Sequence, residues 1–193
     1  MERLADKKYI TPAEFQRHNA IFADLFGQLR ACSPETSRLL SPMHHVCHRL
    51  QELLSLLNEE LPTLTPEELT IPPAPGRWSR QEILGHLIDS AANNHRRFVL
   101  ALTQPAPLLI VAYNQDDWVR CADYQHTPAT DLLALWTTYN RQLIRLISRI
   151  PAEAYQLPCE FENGYSVTLG WLIDDYAVHL EHHVQQILDR TPR

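Results

Sequence analysis

The sequence is poor in the residues that build several large classes of enzyme. Glycine occurs only five times in 193 residues, and the five positions assemble neither G-x-G-x-x-G nor a phosphate-binding P-loop. Rossmann enzymes, kinases and P-loop NTPases are therefore excluded. The four cysteines lie far apart with no C-x-x-C pair, so they do not form a zinc ribbon, and we expect them to be free thiols.

Positive charge and long apolar runs are also scarce. Seventeen Lys and Arg stand against 23 Asp and Glu, which gives a formal charge of −6 at pH 7. No basic cluster is present that would bind nucleic acid. The longest uninterrupted apolar stretch, Leu108–Tyr113, is far too short to span a membrane, and the first residues lack the apolar core of a signal peptide. We therefore expect a cytoplasmic protein that binds neither nucleic acid nor membranes.

The 14 prolines divide the chain into long proline-free windows, in which long helices can form. Four windows carry apolar residues at a period near 3.6, and this predicts amphipathic helices over 45–60, 80–102, 130–149 and 168–188. Ser79 and Glu82 have the spacing of a capping box, which predicts the start of the second of these helices. A weaker helix is predicted over Pro12–Arg30, and Leu108–Tyr113 is the only candidate strand.

The predicted fold class is all-α, a four-helix bundle with an extra N-terminal helix. Four helices of about 20 residues with two long connections match a bundle with crossover loops. We expect residues 1–42 to be an N-terminal extension of one helix, and residues 43–193 to be the bundle domain. Metal and cofactor sites in such bundles are built from side chains that face the interior, so chemistry is expected there.

Ten histidines are the unusual feature of the composition. On the last predicted helix, His179 and His183 are one turn apart at one edge of the apolar stripe, a common way to offer a metal two nitrogen ligands. His182 lies at a flank position. Glu181 faces away from this edge, so the pattern is not the H-E-x-x-H signature of metalloproteases. His86, at the rim of the apolar face of the second helix, is the best candidate for a third ligand.

A metal site at His86, His179 and His183 is one of several interpretations of these histidines. Three imidazoles suit zinc, nickel or another late divalent ion, and they leave a coordination position open. A lone histidine in a helix is more often exposed or hydrogen-bonded, which is the alternative for His86. His44 and His48 have the same spacing, but they stand at a predicted helix start, where solvated histidines are expected. A purely structural bundle would place the histidines on separate faces.

Three further residues are candidates for contacting substrate or orienting a ligand. Asp89 lies about 60° from His86 around the helix and can reach the site; the alternative is a cap or a solvated flank. Asn93 lies two turns from His86, and its alternative role is a buried polar bridge between helices. Tyr113 lies in a long connection, where pocket walls are commonly built, or it simply packs the loop, as we expect of Trp118 nearby. No catalytic residue is assigned.

Several segments follow one another in an order and spacing that match one family. They are Pro75-Gly76-Arg77-Trp78-Ser79, then the stretch from His86 to Asn93, then Tyr113–Trp118, and finally Leu169–Ile187 with its H-x-x-H-H-x-x-x-I pattern. Together they resemble the motifs of DinB-like proteins, and most closely those of the YfiT-type branch of metal-dependent hydrolases and bacillithiol S-transferases. Asn114 stands where Asp is more usual in that branch. The resemblance runs from about residue 45 to 190 and does not cover residues 1–42.

The resemblance implies an up-down-down-up four-helix bundle, often a homodimer, with a divalent metal held by His86, His179 and His183. Activities in the family include thiol transfer to electrophiles and hydrolysis. We therefore expect a metal-dependent thiol S-transferase or hydrolase that acts on a small molecule such as a low-molecular-weight thiol. The alternative is a non-catalytic metal-binding or stress-response bundle. The absence of an unambiguous general base favours transfer or binding over hydrolysis.

Overall fold

A computed structural model describes residues 43–189 of the chain. In chain order its helices are α1 (His44–Glu60), α2 (Pro66–Thr70), α3 (Arg80–Thr103), α4 (Gln115–Ala122), α5 (Ala129–Ile147) and α6 (Leu169–Leu188). The four long helices confirm the predicted ones, each boundary lying within two residues. The predicted helix Pro12–Arg30 and the extension 1–42 lie outside the described residues. Among residues 43–189, no helix combines the length and the apolar character that crossing a membrane requires.

The helices that carry the candidate histidines begin at side-chain caps. At α3, Ser79 Oγ accepts a hydrogen bond from the Glu82 backbone N–H at 3.1 Å, and the Glu82 carboxylate accepts one from the Ser79 N–H at 2.8 Å. The predicted capping box is therefore confirmed. At α6, the hydroxyl oxygen of Thr168 accepts a hydrogen bond from the Trp171 N–H at 3.2 Å. These caps satisfy N–H groups that a helix start otherwise leaves without partners, and they fix where each histidine falls along its helix.

The four long helices form a bundle in which consecutive helices are not always neighbours. Both α1 and α3 pack mainly against α5 and α6, so α1 and α3 lie at opposite corners. The connections 61–79 and 148–168 therefore cross the bundle diagonally, as expected for the crossover topology. The core is mostly aliphatic and includes the fully buried rings of Trp136, Tyr176 and Phe98. Burial of each such large apolar side chain contributes about 1.5–3 kcal/mol.

A small sheet, mostly unforeseen from the sequence, joins two of the connections. Strand β1 (Leu108–Ile110) pairs in parallel with β2 (Pro158–Phe161), which pairs antiparallel with β3 (Ser166–Thr168). Only β1 falls within the predicted strand candidate. Strands of three or four residues are too short for period-two alternation to stand out from the sequence. The turn between β2 and β3 uses Gly164, whose φ of 80° is favourable for glycine.

The segment predicted as a long loop after β1 contains the short helix α4. Asn114 caps this helix, because its side-chain oxygen accepts hydrogen bonds from the backbone N–H groups of Asp116 and Asp117. This capping role explains why Asn serves at a position where the family more often has Asp, since both are strong N-cap residues. The loop interpretation of this segment was therefore wrong in part, and Tyr113 immediately precedes a helix.

Candidate metal centre

The contact between α3 and α6 brings three histidines together. One ring nitrogen of each of His86, His179 and His183 lies within 4.8 Å of the others. The Nε2 atoms of His86 and His179 are 3.2 Å apart, and the ring centroids of His86 and His183 are 4.9 Å apart. Within residues 43–189, this is the one group of three or more histidine, cysteine or acidic side chains close enough to share a metal ion. We call it the histidine triad.

The spacing of these nitrogens fits a shared metal ion. Two nitrogens that each lie 2.0–2.1 Å from a tetrahedral zinc are about 3.3 Å apart. The observed separation between His86 Nε2 and His179 Nε2 is 3.2 Å. A hydrogen bond between His86 and His179 would account for only two of the three rings. It would not explain why a nitrogen of His183 lies in the same cluster. The donor set of three imidazole nitrogens therefore fits a late divalent ion.

Two of the three rings are oriented by hydrogen bonds at the opposite nitrogen. His183 Nδ1 lies 2.8 Å from the amide oxygen of Gln186, which only accepts, so Nδ1 carries the hydrogen and Nε2 keeps its lone pair. His179 Nδ1 lies 3.3 Å from the hydroxyl of Ser90, one turn beyond His86 on α3. Such partners fix the tautomer and direction of metal ligands. Gln186 was not predicted from the sequence, although its spacing of three residues from His183 was a usable signal.

Burial keeps the triad neutral. His86 is 0 % exposed, and burial, with the neighbouring His183 adding to it, lowers its pKa to about 3. Burial also lowers the pKa of His183 to about 4 and that of His179 well below its ordinary value. Neutral imidazole is the form that binds metal. The Nδ1 atom of His86 is buried without a hydrogen-bond partner among the described residues.

Asp89, one turn after His86 on α3, has an unusual environment. It is only 7 % exposed, so it is not a solvated flank residue. One carboxylate oxygen, Oδ1, accepts a 2.6 Å hydrogen bond from the hydroxyl of Tyr124, and the other, Oδ2, is buried without a partner in the described part of the chain. Burial raises the pKa of Asp89, and the bond from Tyr124 opposes this shift. Tyr124 was not predicted from the sequence.

The other two candidates contact neighbours of different kinds. Tyr113 packs against Trp118 with ring centroids 4.8 Å apart. Burial and Asp89 raise the pKa of Tyr124, and the nearby Tyr113 adds a smaller contribution in the same direction. Tyr113 and Asp89 are thus linked through Tyr124. Asn93 donates a hydrogen bond from Nδ2 to the backbone carbonyl of Asp89 at 2.9 Å. This bond lies within α3 and does not bridge two helices.

The chain matches a known superfamily over most of its length. Residues 48–187 match the family model of the DinB superfamily. A curated protein of Halalkalibacterium halodurans named "Putative metal-dependent hydrolase" is 28% identical over 127 residues, which are 64% of this chain and 73% of that protein. A Bacillus mycoides protein of the same name is 29% identical over 147 residues, 75% of this chain and 84% of its own length.

Solved structures share the fold at low sequence identity. YfiT from Bacillus subtilis, described as a probable metal-dependent hydrolase with an unusual four-helix bundle topology, superposes with a TM-score of 0.69 at 23% identity, over 81% of this chain and 86% of YfiT. A mycothiol-dependent maleylpyruvate isomerase superposes with a TM-score of 0.59 at 13% identity, over 74% of this chain and 59% of the isomerase. The family match and these folds agree, and the chain therefore belongs to the DinB superfamily and has its four-helix bundle fold.

Proposed function

We propose that this protein is a metal-dependent enzyme that binds one divalent ion through His86, His179 and His183 and transforms a small molecule there. The observation that carries the proposal is the clustering of three neutral, buried or half-buried imidazoles within 4.8 Å. Relatives named as metal-dependent hydrolases support it. Zinc or nickel is the proposed ion, because three imidazole nitrogens suit late divalent metals.

The chain's own residues prepare this site in three ways. Ser90 and Gln186 contact the Nδ1 atoms of His179 and His183 and so fix the directions of these two rings. Burial keeps the three rings unprotonated at neutral pH, ready to bind. When bound there, a divalent ion lowers the pKa of a coordinated water or thiol and so supplies a nucleophile near neutral pH. Asp89, Asn93 and Tyr113 are the proposed contacts for the substrate.

Of the two reactions open to such a site, we propose thiol transfer. In it, the sulfur of a low-molecular-weight thiol forms a bond to an electrophilic carbon, a leaving group such as chloride departs, and the thiol proton passes to solvent. The fold shared with an isomerase that depends on mycothiol supports a thiol substrate. Hydrolysis is the second candidate, supported by the names of the curated relatives. A bundle that binds metal without turnover is the non-catalytic alternative.

A conjugation assay tests the proposal. Metal-loaded protein is mixed with a halonitrobenzene and, in turn, cysteine or a cysteinyl-glucosamine thiol, and product absorbance is compared with the metal-free protein. We expect faster conjugation with metal, no gain in His179→Ala, and the full gain in His48→Ala, which alters an exposed histidine. Asn93→Ala should weaken substrate binding more than metal binding.

A parallel panel of esters and amides distinguishes the alternatives. Hydrolysis without thiol dependence would overturn the transferase proposal and leave the metal site in place. Activity in neither panel with metal still bound would favour the non-catalytic bundle.

A further inference from the structure

The hydrogen bond between Tyr124 and Asp89 is supported by a local structure built around Gly85 and Gln81. The hydroxyl of Tyr124 donates to Asp89 Oδ1 at 2.6 Å, a short bond of the kind made to an ionised carboxylate. Tyr124 comes from the turn after α4, and Asp89 from the middle of α3. Nothing in the spacing of 35 residues predicts their contact. The geometry around each residue explains how they meet.

A glycine in α3 makes room for the tyrosine. Any Cβ atom at Gly85 would overlap the ring of Tyr124, so only glycine lets the ring lie across the helix at this point. Glycine inside a helix costs about 1 kcal/mol relative to alanine. Gly85 is one turn before Asp89, which places the Tyr124 ring along the helix face that carries the carboxylate.

The turn that carries Tyr124 is fastened to the start of α3. The side-chain Nε2 of Gln81 lies 3.0, 2.9 and 2.8 Å from the carbonyl oxygens of Tyr124, Gln125 and Thr127, which share its two hydrogens. Ser79 donates from its hydroxyl to the Gln125 side chain at 2.6 Å. Both Ser79 and Gln81 are buried, so these bonds are shielded from water. The Tyr124 hydroxyl is therefore placed as firmly as the helix that carries His86.

This arrangement occupies one oxygen of Asp89 and leaves the other available. Tyr124 donates to Oδ1, and Oδ2 is buried without a partner among the described residues. Asp89 lies one turn after His86 on α3, about 60° around the helix from it. A buried oxygen that lacks a partner is costly unless a ligand or water supplies a hydrogen.

We propose that Tyr124 is a positioning residue, which holds Asp89 so that Oδ2 accepts a hydrogen bond from the O–H, S–H or N–H group of a small molecule bound at the histidine triad. The inference rests on the proposed function, because it requires a small molecule at the triad. It adds a requirement on that molecule: beside the atom that approaches the metal, it carries a hydrogen-bond donor on the Asp89 side. Tyr124 does not contact the molecule and acts only through Asp89.

Ligand binding to the cobalt-loaded chain tests the inference without any turnover. Cobalt(II) is added to the metal-free protein, and 2-mercaptoethanol, which carries both a thiol and a hydroxyl donor, is titrated while the visible absorption is recorded. Tyr124→Phe should bind the thiol about 3–10-fold more weakly, and Asp89→Asn about 10–100-fold, because hydrogen bonds to charged groups are the stronger ones. Cobalt affinity should stay within a factor of about two of the wild-type value in both variants.

Tyr155→Phe is the matched control. Tyr155, which is more deeply buried than the half-buried Tyr124, also donates one hydrogen bond, to the Ile150 carbonyl at 3.0 Å, but it lies in the connection before β2. Its variant should lose stability as Tyr124→Phe does and should bind the thiol like the wild type. Gly85→Ala should reproduce the binding loss of Tyr124→Phe, since a Cβ atom displaces the ring without removing the hydroxyl.

The double variant decides whether Tyr124 acts through Asp89. If it does, Tyr124→Phe should weaken binding no further in the Asp89→Asn background, whereas independent effects would multiply. Unchanged thiol affinity in Tyr124→Phe, or multiplied losses in the double variant, would overturn the inference and leave the proposed function standing. Failure of the wild-type chain to bind cobalt or thiol would instead refute the proposed function, and this inference with it.

Discussion

The chain contains two histidine pairs with identical spacing and opposite surroundings. His179 and His183 stand four residues apart on α6, and His44 and His48 stand four residues apart at the start of α1. The first pair faces α3 and meets His86 within 4.8 Å. The second pair is exposed, and the His48 side chain, 71% exposed, lies 3.4 Å from Glu52 on its own helix. Spacing alone does not distinguish the two pairs.

The difference between the pairs is set by what lies opposite each helix. A third histidine and the hydroxyl of Ser90 face the pair on α6, and burial lowers the pKa of His183 to about 4. The pair on α1 projects into solvent beside carboxylates such as Glu52. A metal site therefore needs a third ligand from a neighbouring helix and enough burial to keep the rings neutral. The following experiments test whether this difference in surroundings has the expected consequences.

The largest expected effect is on thermal stability. Metal at about 1,000 times its dissociation constant stabilises a folded protein by about 4 kcal/mol, which corresponds to about 10 °C in Tm for a domain of this size. We expect the wild type and His48→Ala to show this rise when zinc is added after chelator treatment, and His179→Ala to show none. Calorimetry or circular dichroism measures it. Equal Tm values for the metal-free and metal-loaded wild type would contradict the account.

The residues that orient the triad should have a smaller effect. Ser90→Ala and Gln186→Leu remove the partners of His179 Nδ1 and His183 Nδ1, and such losses lower metal affinity about 10–100-fold. Glu52→Gln removes the corresponding partner of His48 and should leave metal affinity unchanged. Competition with a chromophoric chelator gives the affinities. If all three variants bind zinc like the wild type, the assigned role of these hydrogen bonds is wrong.

The pH dependence of unfolding of the metal-free protein should report the burial of the triad. The pKa values of His86 and His183 are about 3 and 4 in the folded chain, below the ordinary 6.5 of the unfolded chain. The unfolded state therefore binds more protons below pH 6.5, so the free energy of unfolding falls as pH drops from about 6.5 to about 4. Each such imidazole contributes up to about 1.4 kcal/mol per pH unit.

Denaturant unfolding between pH 7 and 4.5 measures this slope. Asp175 acts in the opposite sense, since burial raises its pKa to about 6 and the folded state takes up its proton first as pH falls. His86→Leu should therefore reduce the loss of stability on acidification, and Asp175→Asn should increase it. Identical slopes for His86→Leu and the wild type would show that His86 is not held neutral.

The long helices and the grouping of the three histidines could be predicted from the sequence for the same reason. An apolar periodicity that extends over about 20 residues remains clear even where single residues depart from it. The ends of each long helix were therefore predicted to within two residues. The same periodicity places His179 and His183 at the edge of the buried stripe, and His86 at the rim of the stripe on α3. Because buried stripes must face one another in a bundle, residues at their edges meet.

The remaining features depend on contacts that no local pattern encodes. Tyr124 reaches Asp89 only because Gln81 fastens a distant turn to α3 and Gly85 leaves room for the ring. The parallel pairing of β1 with β2 joins residues about 50 positions apart through strands of three or four residues. Sequence periodicity describes one element at a time, so it identifies the faces of helices and misses side chains that come from turns.

Metal content tests the central claim most directly. Wild type, His86→Ala and His48→Ala are each exposed to excess zinc, dialysed extensively and submitted to elemental analysis alongside a protein assay. The account predicts about one zinc per chain in the wild type and in His48→Ala, as for a site with three histidine ligands, and none above background in His86→Ala. Zinc retained equally by His86→Ala, or absent from the wild type, would contradict it.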